Sequence, residues 1–214
     1  MKKPVGYYNY TVFPTYFGFA LAILGIFLAM LGKPEFAVYC LVISGVCDMF
    51  DGKIARTRKR TDEEKHFGIE IDSLSDCVSF GVLPAVIGMA MGMTEWYFYP
   101  ILLLYPLCAL IRLGYFNVQE MCRQQTETGV RKSYVGLPVT VGSLFFAFLH
   151  LVGLALSLAA STMTWVWAIA MLVVAVLFVT PFTLPKPGTK GIIFWACFGA
   201  ALIIAIIVIS ALRA

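Results

Sequence analysis

Long stretches without a charged residue constrain the fold of this chain more than any other feature. Five such stretches, of 16 to 53 residues, contain no Asp, Glu, Lys or Arg. A helix needs about 20 residues to cross the hydrocarbon core of a bilayer. Only 13% of the 214 residues are charged, against about 25% in ordinary soluble domains. The composition therefore excludes a soluble globular protein and indicates a single integral membrane domain over residues 1–214.

Seven membrane-spanning helices account for these stretches. The stretch 133–185 is long enough for two helices, which we separate near residues 157–164. The uncharged run 36–47 is only twelve residues long, so its helix crosses the bilayer only if it carries Asp48 and Asp51 with it. We therefore predict an all-α fold, a polytopic membrane helical bundle. Its predicted spans are residues 12–31, 36–57, 68–92, 96–118, 136–157, 163–184 and 191–212.

Basic residues lie on one side of the predicted bundle. When the N-terminus is placed in the cytoplasm, fourteen of the sixteen Lys and Arg residues fall on the cytoplasmic side. Cytoplasmic loops of membrane proteins carry such an excess. We therefore predict a multi-pass protein of the cytoplasmic membrane, with its N-terminus and its active site on the cytoplasmic side. Membrane lipids are expected partners, and no nucleic acid is expected.

Four aspartates lie inside the second and third predicted spans. An ionised carboxylate inside a bilayer costs at least about 2.5 kcal/mol, so unpaired acids there are functional candidates. Asp48 and Asp51 are spaced i,i+3 and project from one helix face. Asp72 and Asp76 are spaced i,i+4 and do the same on the next helix.

These two helices are predicted to form an antiparallel hairpin about a loop at residues 57–67. Residues at equal depth in such a hairpin have nearly constant summed numbers. By this rule Asp48 matches Asp76 in depth, and Asp51 matches Asp72. All four carboxylates are therefore predicted to converge about 10 to 12 Å below the cytoplasmic helix ends, given a rise of 1.5 Å per residue.

Such a cluster favours divalent cations. Four carboxylates at one level repel one another unless cations compensate their charge. Oxygen-only ligation suits Mg²⁺, Mn²⁺ or Ca²⁺ and does not suit zinc. Two such ions can clamp a phosphate and stabilise an in-line displacement. The nearby Gly52 and Gly68 leave room for a bulky ligand, and Arg56 is placed to reach phosphate oxygens.

Two other interpretations of the aspartates remain. They could pair with basic residues in a structural salt-bridge network, although four acids at matched depth beside two glycines argue against it. They could also bind a divalent cation for transport, as in a cation carrier. The carrier explains the acids but gives no role to the two glycines, to Ala55 or to Arg56.

The spacing of these residues resembles the signature of the CDP-alcohol phosphotransferase family of membrane enzymes. The matching pattern is Asp48-x2-Asp51-Gly52-x2-Ala55-Arg56 followed by Gly68-x3-Asp72-x3-Asp76. Family members usually have eight residues between the Arg and the second Gly, whereas residues 57–67 number eleven here. We expect the additional residues to lengthen a cytoplasmic loop and to leave the site intact. The resemblance implies the six-helix core of the family plus a seventh span. The signature lies in the helices within residues 36–92.

Residues 67–85 further resemble the phosphatidylserine synthase branch of this family. Asp-Ser-Leu-x-Asp and Ser-Phe-Gly-x-x-Pro-Ala recur in that branch, and residues 112–117 and 134–138 extend the likeness. The resemblance implies transfer of the phosphatidyl group of CDP-diacylglycerol to the hydroxyl of L-serine, with release of CMP. The nearest alternatives within the family use glycerol 3-phosphate or inositol phosphate as the acceptor.

The resemblance also implies roles for individual residues. Asp48, Asp51, Asp72 and Asp76 would hold two Mg²⁺ or Mn²⁺ ions, and Asp76 would also act as the catalytic base that accepts the proton of the serine hydroxyl. Contacts to the nucleotide and substrate are implied for Gly52, Ala55, Arg56, Gly68 and Ser73. The carboxylate of serine requires a cation nearby. Candidates for a serine pocket are Arg112, Asn117, Arg131, Lys132 and Tyr134.

Basic residues near a cytoplasmic face also serve as topology determinants or contacts to lipid headgroups, and this applies above all to Arg131 and Lys132. Arg112 lies deeper and is the better candidate for the serine pocket. Gly88-x3-Gly92 has the spacing of a helix-packing face. On that basis we predict a homodimer, although small residues are common in membrane helices.

Overall fold

The structure is a computed structural model that describes residues 5–126, 133–185 and 188–213. Within these residues the chain forms eight α-helices. A π-helical turn, Cys77–Val82, joins α3 to α4 into one rod, and a 3-10 turn, Trp96–Phe98, leads into α5. The helices are α1 Phe13–Met30, α2 Pro34–Ala55, α3 Asp62–Asp76, α4 Leu83–Ala90, α5 Tyr99–Thr126, α6 Val139–Ala155, α7 Ala160–Val179 and α8 Thr189–Arg213.

The predicted all-α membrane bundle is confirmed. The described helices form seven rods, and five of them are long and apolar enough to cross a membrane. The remaining two are α6, which has 17 residues, and α2, which carries Asp48 and Asp51. Many large apolar side chains on the outer faces of the rods are exposed, including Phe27, Leu103 and Ile204. Lipid chains can cover such surfaces.

The third rod begins earlier than predicted. We expected a loop over residues 57–67, but α3 starts at Asp62, and the loop covers only residues 56–61. Thr61 caps the helix, since its side chain accepts a hydrogen bond from the Glu64 backbone at 3.2 Å. The Glu64 carboxylate accepts one in return from the Thr61 backbone at 3.0 Å. This capping box satisfies two of the free N–H groups of the first turn. The additional residues therefore mostly lengthen a helix and not a loop.

The sixth predicted span also ends earlier than expected. We predicted helix to residue 184, but α7 stops at Val179. Pro181 follows at the second position beyond, and a residue that precedes proline is driven to extended backbone. Thr180 accordingly has a ψ of 127°. The strand β2, Thr183–Pro185, pairs antiparallel with β1, Ser133–Val135. This small ribbon joins the segment before α6 to the segment before α8.

The π-helical turn between α3 and α4 has an identifiable cause. Pro84 has no N–H, so the carbonyl of Phe80 has no α-helical donor four residues ahead. The Tyr105 hydroxyl of α5 donates to that carbonyl at 3.0 Å. The Trp167 indole of α7 donates to the Pro84 carbonyl at 3.2 Å. Both aromatic side chains are completely buried, so the irregular turn is held at the centre of the core.

The Gly88-x3-Gly92 segment packs inside the chain and not on a free face. A Cβ on Gly88 would lie 3.0 Å from Cδ1 of Trp167 on α7. A Cβ on Gly92 would lie 3.0 Å from Oγ1 of Thr164, also on α7. Gly92 has a φ of +107°, which closes the turn after α4. The motif from which we predicted a homodimer is therefore used within one molecule, and the homodimer stays a prediction without this support.

Candidate active site

A cleft of about 540 Å³ lies where the C-terminal parts of α2 and α3 and the middle of α5 meet the starts of α6 and α8. One part of its lining is polar and charged, and the other part is apolar. The polar part comprises Asp48, Asp51, Gly52, Lys53, Arg56, Asp72, Asp76, Arg112 and Thr140. The apolar part comprises Met49, Leu113, Phe116, Leu137, Pro138, Val139, Val141, Leu144, Leu184, Pro185, Ile192 and Trp195.

The predicted aspartates meet in this cleft. One oxygen from each of Asp48, Asp72 and Asp76 lies within 4.8 Å of the others. The carboxyl groups of Asp48 and Asp76 are hydrogen-bonding neighbours. Those of Asp51 and Asp72 are neighbours in the same way. These are the two pairs that equal depth in the hairpin predicts.

The surroundings of the aspartates are compatible with a cation site. Asp51 is 9% exposed, and the Thr15 hydroxyl of α1 donates to its Oδ2 at 3.4 Å. Across the part of the chain that the structure describes, Asp51, Asp72 and Asp76 form no ion pair with Lys or Arg. A structural salt-bridge network therefore does not account for these three acids. Partly buried carboxylates with an all-oxygen donor set fit a hard divalent cation.

The residues around the aspartates differ in how they face the cleft. Gly52 lines it, and a Cβ on Gly52 would meet no atom within 4 Å. Arg56 ends α2, is exposed and also lines the cleft. Gly68 and Ala55 are outside the lining. A Cβ on Gly68 would lie 3.0 Å from Nη1 of Arg60, so an arginine of the α2–α3 loop covers that glycine.

Arg112 reaches the cleft from α5. Its side chain is buried, with 6% exposure, and its Nε donates to the Leu137 carbonyl at 3.1 Å. The guanidinium lies 5.3 Å from the ring centre of Phe116. Gly136 adopts a φ of +75°, and a Cβ there would lie 3.1 Å from the Phe178 carbonyl and 3.5 Å from Arg112 Nε. The tight turn before α6 thus fixes the position of this cation.

Ser73, a predicted substrate contact, and the other predicted serine-pocket residues are placed differently. The Ser73 hydroxyl donates to Oδ1 of Asn117 at 2.8 Å, and this bond links α3 to α5 outside the cleft lining. Tyr134 lies in β1, opposite Leu184. Arg131 and Lys132 are outside the described residues. The structure therefore brings Arg112 to the aspartates and pairs two other candidates with each other.

Sequence reasoning did not anticipate the apolar wall of the cleft. Nine of its twelve residues come from the entry and start of α6, from the β2 strand and from the start of α8, and the other three belong to α2 and α5. The Leu137-Pro138 pair gave a weak signal, since a proline before a helix marks a structured entry. No local signal marked Ile192 or Trp195. Their place depends on how α8 crosses the bundle.

The site agrees with a comparison to known families. The model of the CDP-alcohol phosphatidyltransferase family matches residues 12–181. The chain belongs to the CDP-alcohol phosphatidyltransferase family. This confirms the resemblance, and the matched segment contains all four aspartates of the cleft. The match ends before α8, so this helix lies outside the segment that the family model describes.

Individual relatives carry related names. A CDP-diacylglycerol–serine O-phosphatidyltransferase of Saccharomyces cerevisiae is 39% identical over 50% of this chain and 40% of its own length. An archaetidylserine synthase of Methanothermobacter thermautotrophicus is 31% identical over 78% of this chain and 66% of its own length. A CDP-diacylglycerol–serine O-phosphatidyltransferase of Mycobacterium leprae is 34% identical over 63% of this chain and 43% of its own length. The matched segment of this chain thus spans 40 to 66% of the length of these three relatives.

Proposed function

We propose that this protein transfers the phosphatidyl group of CDP-diacylglycerol to the hydroxyl of L-serine and releases CMP. The observation that carries the proposal is the meeting of Asp48, Asp51, Asp72 and Asp76 beside Gly52 and Arg56 in one cleft. The names of the yeast and Mycobacterium leprae relatives state this reaction. The name of the archaeal relative also specifies a serine-containing product.

The aspartate cluster is proposed to hold two divalent ions, Mg²⁺ or Mn²⁺. Its donors are all carboxylate oxygens, and three of them lie close enough to share an ion. When bound, such ions neutralise a diphosphate and stabilise the charge of an in-line displacement. Arg56 adds a guanidinium at the exposed end of α2, where it can pair with phosphate oxygens. Gly52 allows the nucleotide to approach the backbone of α2.

Asp76 is proposed as the base. It lies one turn further along α3 from the α2–α3 loop than Asp72 and neighbours Asp48, so it belongs to the deeper of the two aspartate pairs. Asp76 takes the proton of the serine hydroxyl, and the serine oxygen forms a bond to the phosphorus that carries diacylglycerol. The bond from that phosphorus to the oxygen bridging to CMP breaks, and CMP leaves with the electron pair.

Arg112 is proposed to hold the carboxylate of serine. Its guanidinium is fixed by the Leu137 carbonyl and lies in the same cleft as the aspartates. A planar guanidinium matches a carboxylate with two parallel hydrogen bonds.

The apolar part of the cleft is suited to the first carbons of the two lipid chains. We further propose that the cleft opens at the cytoplasmic face, because Arg56, the first residue of the 56–61 loop, lines its charged end together with Lys53.

Purified protein tests this proposal directly. With CDP-diacylglycerol, Mn²⁺ and labelled serine, we expect release of CMP and label in a lipid product. Chelation of the metal with EDTA is expected to abolish both, and added Mn²⁺ or Mg²⁺ is expected to restore them. CMP release with glycerol 3-phosphate or inositol phosphate but not with serine would reject the serine acceptor. Failure to release CMP with any acceptor, together with cation uptake into proteoliposomes, would favour the carrier.

A further inference from the structure

Helix α8 lies outside the segment that the family model matches, yet it forms part of the active-site cleft. The match ends at residue 181, and α8 runs from Thr189 to Arg213. Ile192 and Trp195 from its first turns line the cleft together with Asp48 and Asp76. The site of this phosphatidyltransferase thus has one side that the family core does not supply.

The position of α8 is fixed by packing along its length. A Cβ on Gly199 would lie 3.1 Å from Cδ2 of Leu144 on α6 and 3.3 Å from Cγ1 of Val42 on α2. Further along, Leu202 and Ile206 are buried, with 4% and 0% exposure. Near its end the Ser210 hydroxyl donates to Oε2 of Glu35 at 3.2 Å. These contacts hold α8 against α2 and α6, so its first turns cannot shift freely relative to the aspartates.

The first turns of α8 present two different faces. Ile192 and Trp195 are spaced i,i+3 and share the face that lines the cleft. Phe194 is 62% exposed and is not part of the lining. Trp195 packs edge-on against Phe194 and Phe198 of the same helix, with ring centres 5.5 and 5.8 Å apart. A large ring held in this way is a rigid obstacle beside Val141 and Leu144 of α6, which also line the cleft.

We propose that Ile192 and Trp195 of α8 form a lipid-selecting wall that contacts the hydrocarbon chains of the CDP-activated lipid and determines which chains are accepted. This inference rests on the proposed function. The occupant follows from continuity, because the same cleft holds the charged groups suited to the nucleotide and an apolar part that is suited to chains. The relatives are named for different lipids, one for CDP-diacylglycerol and another for an archaetidyl product.

Variants of Trp195 test the wall against a matched control. Trp195→Ala removes the ring, Trp195→Phe keeps an aromatic side chain, and Ile193→Ala shortens a neighbouring side chain that is 51% exposed and outside the cleft lining. We expect Trp195→Ala to raise the KM for CDP-dioleoylglycerol by about 5- to 30-fold, from the loss of one apolar contact. The KM for serine should stay within about twofold. The preference for branched over straight chains should change, and a CDP-lipid with six-carbon chains should be affected least.

Trp195→Phe is expected to lie between Trp195→Ala and the unaltered protein, and Ile193→Ala is expected to match the unaltered protein. Equal losses for short, long and branched lipids, or the same losses in Ile193→Ala, would overturn the proposal of a lipid-selecting wall. A binding measurement separates this inference from the proposed reaction. A CDP-lipid brominated in its chains, held in detergent, should quench tryptophan fluorescence in the unaltered protein and quench it less in Trp195→Phe. Equal quenching in both proteins would reject the wall whether or not serine is the acceptor.

Discussion

Each of the four aspartates has different neighbours, so the four substitutions should not be equivalent. Asp51 receives a hydrogen bond from Thr15, whereas Asp76 neighbours Asp48 at the deeper level. Asp76→Asn keeps the size of the side chain and removes its ability to accept a proton. We expect kcat to fall by about 10²- to 10⁴-fold, the usual contribution of a general base. The affinity for CMP in the presence of Mn²⁺, measured by calorimetry, should fall far less.

A matched control for this variant is Glu70→Gln, which changes an exposed acid on the same helix outside the cleft lining. Its kcat should equal that of the unaltered protein. Turnover retained by Asp76→Asn would remove Asp76 as the base. A loss of CMP affinity as large as the loss of kcat would assign it to ligand binding alone.

Gly52 allows a second test at the scale of one residue. The position has space for a Cβ, so Gly52→Ala should fold and gain roughly 0.5 to 1 kcal/mol of helix stability. The added methyl group projects into the cleft, and we expect the KM for CDP-diacylglycerol to rise about tenfold or more through misplacement of the nucleotide. Gly114→Ala is the control, since Gly114 also has open space but lies outside the cleft lining. A KM unchanged in Gly52→Ala would contradict a nucleotide contact there.

The positions of the aspartates were predictable from the sequence because the helix face and the depth of each one follow from residue numbers. Helical spacing gave the face, and summed residue numbers gave the depth. The bond between Ser73 and Asn117 was not predictable in this way, since it depends on how α3 packs against α5. The position of the Arg60 side chain over Gly68 was not predicted for a related reason. The periodicity of a sequence does not determine the path of a charged loop.

At the scale of elements, the start of α3 depends on the capping box at Thr61. This turn also anchors the segment before α1, since the Tyr7 hydroxyl donates to Oε2 of Glu63 at 2.7 Å. Thr61→Ala removes the side-chain acceptor for the Glu64 backbone and should cost about 1 kcal/mol. We expect a lower midpoint of thermal unfolding in detergent, whereas Thr61→Ser should retain the cap. Equal midpoints for the two variants would show that the box does not stabilise α3.

The sequence contains the signal for this cap, but the charged residues around it led us to predict a loop. Thr61-Asp62-Glu63-Glu64 matches a capping box, yet its acids and the neighbouring basic residues read as a solvated loop. The π-helical turn had no comparable signal. Pro84 indicates a missing donor, but the replacement donor, Tyr105, lies on a different helix. Local chemistry therefore predicts that a helix is perturbed, and tertiary contacts decide how.

At the scale of the whole molecule, hydropathy predicted the number of rods but not the composition of the site. None of the predicted site residues lies in the seventh span, and the structure shows that this rod lines the cleft with Ile192 and Trp195. The physical reason is the close approach at Gly199, which lets α8 lie against both α2 and α6. Such an approach depends on the three-dimensional crossing of helices, which the length of a hydrophobic stretch does not determine.

The orientation of the bundle is a prediction that belongs to the whole molecule. Fourteen of sixteen basic residues lie on one side when the N-terminus is cytoplasmic, and this bias sets orientation in membrane proteins. Single cysteines at Lys59→Cys, in the α2–α3 loop, and Ala159→Cys, in the α6–α7 turn, report the two sides. The six native cysteines are free, so they must first be replaced by serine or alanine. With a membrane-impermeant maleimide, Ala159→Cys should react in intact cells and Lys59→Cys only in inverted vesicles. The reverse pattern would place the aspartates at the outer face, away from any cytoplasmic supply of the CDP-activated lipid.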